Sequence, residues 1–161
     1  MRSRSLLLAA ALPALLLAGC GKAAAPPDAD VPHHHHHHAP HGGAAVELGD
    51  EEYHVELVLD AATGTLQAYV LDAELENFVR SSAPTLEIEA TIAGAPKAVS
   101  LAAVPNAETG ETVGDTSLYE GQADWLKAAR VFDGTLKTIA IRGTTFSDVK
   151  FNFPKGSDSG H

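Results

Sequence analysis

The sequence predicts an all-β protein: a single antiparallel immunoglobulin-like β-sandwich of about seven strands with one short helix, preceded by a signal segment and a disordered His-rich tether. Three observations carry that reading. From Ala44 to Phe153 apolar residues alternate with polar ones at period two over most of the length, which is the pattern of half-buried strands. Gly, Pro, Asn and Asp interrupt the alternation at short intervals, as the turns of an antiparallel sandwich do. A helical pattern shows in one place only, near residues 123–130.

The elements follow in order. Ala44 to Leu48 makes a first strand and Gly49-Asp50 a turn. Tyr53, Val55, Leu57 and Leu59 alternate with His54, Glu56, Val58 and Asp60, so one face is apolar and the other carries His54 and Glu56. Ala61-Ala62-Thr63-Gly64 is a hairpin turn, and Leu66, Ala68 and Val70 repeat the alternation. Leu86, Ile88, Ala90 and Ile92 mark the next strand, closed by Gly94-Ala95-Pro96, and Val99, Leu101 and Ala103 the one after. Ala123 to Arg130 suits a short helix, with Asp124 early and Arg130 late to complement its dipole. Two closing strands run from Leu136 to Arg142 and from Thr145 to Phe153, with Val149, Phe151 and Phe153 inward.

Ahead of this body lies a different kind of chain. Arg2 and Arg4 precede an apolar run from Leu6 to Leu17. The run is shorter than the roughly 20 residues a spanning helix needs and has the anatomy of a secretory signal. It ends Leu17-Ala18-Gly19-Cys20, which resembles the lipobox of bacterial lipoproteins. That resemblance implies cleavage before Cys20, a diacylglycerol on its sulfur, and acylation (palmitate) of the new amino terminus, together a stable anchor. The expected organisation is a lipoprotein signal over 1–19, a lipid-anchored Ala/Pro/His-rich linker over 20–43, a β-sandwich over 44–154 and a flexible tail over 155–161. At ~3.1 Å per residue the linker could hold the body several tens of ångströms from the lipid.

Composition narrows the partners. The net charge is −10, and removing residues 1–19 with Arg2 and Arg4 brings it to −12. Such a surface disfavours nucleic acid and anionic membrane and suits cations. Cys20 is the one cysteine and Met1 the one methionine. The processed body therefore has no thiol or thioether for Cu(I), which favours sulfur donors.

The chemistry-bearing residues are imidazoles. His33, His34, His35, His36, His37 and His38 are consecutive, and His41-Gly42-Gly43 follows. Imidazole suits Zn²⁺, Ni²⁺ and Cu²⁺, and six in a row offer interchangeable coordination sets. The run sits between a signal and a domain, which is not where a purification tag is placed. His54 and Glu56, about 7 Å apart on one strand face, form a candidate half-site that His41 or the run could complete; His161 could fold back as a further ligand. The ordinary alternative is a solvent-facing strand with polar residues. The acidic stretches 72–77 and 108–115 lack the spaced oxygen donors of a calcium loop. Trp125, with Tyr119 and Leu126, reads as a plug on the sandwich edge. No phosphate loop, nucleophile elbow or spaced triad is present, so an enzyme is not expected.

His41-Gly42-Gly43 with Glu47-Leu48-Gly49, residues 52–57 and Tyr69-Val70-Leu71-Asp72 resembles a group of small, largely uncharacterised bacterial periplasmic lipoproteins. A similar His-Gly-Gly opening is seen at the start of periplasmic adaptor subunits of heavy-metal efflux pumps. The resemblance covers residues 32–72. It implies the cell envelope, a β-rich body and a link to divalent metals, and it assigns no catalytic residue. The helical hairpin and repeated β-lobes of an adaptor are missing, so a direct transport role is not implied.

The expectation is a lipid-anchored protein of the periplasmic face that binds Zn, Cu(II) or Ni through its arm, to buffer the metal or hand it to an envelope partner such as an efflux system. The alternative is a non-enzymatic interaction module that docks through a sheet edge or the Trp125 region, its His run an incidental or pH-responsive linker.

Overall fold

A computed structural model describes residues 38–157. The signal segment, Cys20, His33 to His37 and His161 lie outside the described residues.

Eight strands form one antiparallel sheet: β1 (Ala44–Leu48), β2 (Tyr53–Asp60), β3 (Thr65–Asp72), β4 (Thr85–Ile92), β5 (Ala95–Ala103), β6 (Leu118–Gln122), β7 (Phe132–Ile141) and β8 (Thr144–Phe153). The spatial order is β1-β2-β3-β6-β5-β4-β7-β8. The meander β4-β5-β6 is thus inserted in reverse between β3 and β7, which makes two overlapping Greek keys. All-β and antiparallel hold as expected. The two-sheet immunoglobulin-like sandwich of about seven strands does not, because every strand is hydrogen-bonded into the same sheet.

That sheet nearly closes on itself. After β8 the chain turns back, and the Ser157 N–H donates to the Ala45 carbonyl at 2.9 Å while the Glu47 N–H donates to Ser157 Oγ at 2.9 Å. Ser157, expected in a loose tail, is thereby tied to β1, and Gly156 before it bonds back to Asn152. A sheet that curls needs only one apolar face, and alternation alone cannot distinguish that from two stacked sheets.

The inner face carries the core. Val46, Val55, Leu57, Leu66, Ala68, Val70, Leu86, Ile88 and Leu101 are all buried. Tyr119 is fully buried and donates its hydroxyl to the Ala83 carbonyl at 2.7 Å.

Two elements differ from expectation. Residues 118–130 give strand β6 and then one 3₁₀ turn, Asp124–Lys127, instead of a helix. Leu118 and Tyr119 pair with Tyr69 and Ala68 of β3, so tertiary pairing overrides local propensity. Trp125 packs edge-on against Phe132 at 5.5 Å and its ring N–H donates to the Ala98 carbonyl.

Strand β7 also starts four residues before the expected Leu136. Asp133 and Gly134 hide its beginning, and Gly134 is there for a packing reason: a Cβ would lie 2.3 Å from the Phe151 ring. Further along, Leu136 and Ile139 are both buried although three residues apart. The strand changes its inner face at Lys137-Thr138. Asp148 across the ladder takes a φ of 54° and pairs with Lys137.

Candidate functional site

The hairpin β2–β3 sets the register of the site. Leu57 pairs with Ala68 and Val55 with Val70 on the inner face, which leaves Glu56 opposite Tyr69 on the outer one. His54 shares that outer face, as the alternation requires. Yet Glu56 is not solvent-facing. It is 0% exposed, because the segment before β1 folds back over this part of the sheet.

That fold-back is held by the carboxylate itself. The N–H groups of His41 and Gly43 both donate to Glu56 Oε1 at 2.8 Å. The His41 ring places Nδ1 2.7 Å from Oε2. A buried carboxylate is costly unless donors surround it, and two backbone N–H donors and the His41 ring nitrogen converge here. Gly43 is required by the closeness of the approach: a Cβ would sit 2.5 Å from the Leu57 carbonyl oxygen and 2.9 Å from Glu56 Cγ.

Aromatic rings complete the corner. The His41 imidazole stacks on Tyr69 with centroids 3.9 Å apart and planes 13° from parallel. Phe78 flanks both rings at 6.0 and 6.1 Å and is itself 57% exposed. The Tyr69 hydroxyl donates to Gln67 Oε1, and Gln67 donates in turn to Glu120. Burial pushes the Tyr69 phenol above its usual range, with the charges of Glu56 and Glu120 adding to the shift, so it is a neutral hydroxyl at physiological pH.

The other half of the expected pair sits apart. His54 is half-buried and its Nδ1 lies 3.2 Å from the Asp72 carbonyl oxygen, not on Glu56. The structure therefore brings together His41 and Glu56 and leaves His54 to its own contact. His38, last of the run, is exposed. Among the described residues no three His, Cys, Asp or Glu side chains gather closely enough to hold a metal ion. A cleft of about 810 Å³ crosses residues 89–91, 96–98, 133–135 and 150–152 and includes none of the candidate ligands.

Sequence reasoning did not single out Tyr69 and Phe78 as members of this corner. Tyr69 was within reach: closing the hairpin on residues 61–64 pairs Asp60 with Thr65 and, counting back, Glu56 with Tyr69. Phe78 lies in an irregular connection where no period places it. Comparison with protein-family models, with curated proteins and with solved structures finds no match to this chain.

Proposed function

We propose that this chain is a lipid-anchored protein of the bacterial envelope that binds a divalent transition metal, Zn²⁺, Cu²⁺ or Ni²⁺, through its His-rich arm, and buffers it or passes it to an envelope partner. The observation that carries the reading is the placement of His41. The imidazole run ends at His38, and three residues later His41 is seated on the folded body against a buried carboxylate. A consecutive set of borderline ligands is thus followed closely by an imidazole with a fixed position, which suits capture followed by transfer. The acidic charge of the chain favours cations as cargo.

The test is calorimetric titration of Zn²⁺, Cu²⁺ and Ni²⁺ into the full chain and into a variant with His33 to His38 replaced by Ser. Tight binding by the full chain, strongly reduced in the variant, is expected. Equal binding by both, or none by either, would overturn the reading.

A second reading draws on Phe78. An aromatic side chain more than half exposed beside two further rings offers a contact surface to another envelope protein. On that reading Phe78→Ala abolishes partner capture while metal titrations are unchanged.

A further inference from the structure

We propose that Glu56 is a positioning residue and not a metal ligand: it holds His41 in the Nδ1–H tautomer, so that the folded body presents a single donor, His41 Nε2, to a borderline divalent cation of the Zn²⁺ class. This deepens the metal-binding reading and rests on it.

The first argument is valence. Glu56 Oε1 already accepts two backbone N–H groups and Oε2 accepts from the ring. The side chain has no exposed surface. Zinc–oxygen bonds are about 2.0–2.2 Å long, and no ion reaches that distance without stripping away the chain before β1. A ligand role would dismantle the site that offers it.

The second argument is the proton. An ionised carboxylate only accepts hydrogen bonds. With Glu56 as a carboxylate, the 2.7 Å contact to Oε2 assigns the proton to Nδ1. A neutral imidazole with its proton on Nδ1 carries its lone pair on Nε2. Among the described residues no group hydrogen-bonds to His41 Nε2, and the side chain keeps 33% of its surface exposed. The Tyr69 ring covers one face of the imidazole and resists its rotation. Carboxylate behind, free nitrogen in front is the arrangement that orients metal-bound histidines.

The third argument is contrast with His54. Its Nδ1 also faces an acceptor, the Asp72 carbonyl, but at 3.2 Å and without a carboxylate's charge or a stacked ring. Of the two body histidines only His41 has both its tautomer and its plane fixed, and it is the one adjoining the run. The folded body thus supplies one oriented ligand.

The experiment is ¹⁵N NMR of the histidines in the full chain, in detergent, above the usual imidazole titration range. In metal-free chain the His41 resonances should report a proton on Nδ1 and a bare Nε2. A proton on Nε2 instead would overturn the proposal without any variant. On adding Zn²⁺, His41 Nε2 should shift along with resonances of the run. Shifts in the run with His41 untouched would remove His41 as a ligand and leave the metal-binding reading standing. No histidine shift at all would remove both.

Glu56→Gln supplies the second arm. Its amide oxygen can keep the two backbone donors, while its NH₂ donates to Nδ1 and forces the proton onto Nε2. The backbone amide spectrum should be retained, the His41 tautomer inverted, and the His41 shift on Zn²⁺ lost, with Zn²⁺ affinity falling roughly 10- to 100-fold. A purely structural Glu56 would leave the tautomer and the affinity unchanged in a folded Gln variant.

Discussion

Two buried glutamates of this fold, Glu56 in β2 and Glu111 in a connection, do opposite jobs. Glu111, in the connection before β6, receives the Ser117 N–H at 2.9 Å, the Ser117 hydroxyl at 2.6 Å and the Thr109 hydroxyl at 2.8 Å. Each side-chain donor lies within six residues of it in sequence. Glu111 pins its own loop. Glu56 gathers its donors from 13 and 15 residues away, across a strand, and one of them is an imidazole. Both carboxylates satisfy the same requirement for donors. They differ in what the donor can do with its other end: a serine hydroxyl ends the chain of contacts, whereas an imidazole passes the orientation on to a second nitrogen.

The comparison can be broken most severely at Glu56. Glu56→Ala leaves the His41 and Gly43 N–H groups without their acceptor, and should cost about 2–3 kcal/mol by chemical denaturation, with residues 38–43 released from the body. Gly43→Ala attacks the same corner through sterics. Its Cβ would press on the Leu57 carbonyl, and about 1–2 kcal/mol together with loss of the His41–Tyr69 stacking in NMR spectra is expected.

Glu111 sharpens the contrast through pH. Burial pushes its carboxyl up, but hydrogen bonds from Ser117 and Thr109 and the Arg80 charge outweigh that, so it titrates below its ordinary value of 4.5. A depressed folded value means stability that is full above the unfolded value and is lost as pH falls through the folded one. Denaturation midpoints followed from pH 6 downward should therefore drop more steeply below about pH 4.5 in the native chain than in Glu111→Gln. The smallest effect belongs to Tyr69→Phe. It removes the bond to Gln67, keeps the ring under His41, and should cost about 0.5 kcal/mol with His41 still stacked.

Strand content was legible because the alternation depends on nearest neighbours. β1 matches residue for residue, and β2 and β3 nearly so. What alternation does not encode is whether two apolar faces meet or one face curls round, and the ladder from β3 to β6 and from β4 to β7 joins residues too distant for any local pattern to pair. In the same way His54 and Glu56 were rightly placed on one face, while their separation in use was not visible: the partner of Glu56 comes from the segment ahead of the body, and Glu56 looks like a surface residue until that segment is laid across it. His41 stood out as a ligand candidate by composition, but the stacking and the carboxylate that give it direction depend on tertiary placement.

The clasp between Ser157 and β1 has a consequence for synthesis. The Glu47–Ser157 bond spans 110 residues, so the ends of the body meet only when almost all of it has been made. Until then β1, which carries the fold-back and its arm, offers an unpaired edge to any neighbouring strand. A chain released a few residues early would keep most of its core and lose its closure. Such a product should accumulate as an edge-paired oligomer and not as a random coil.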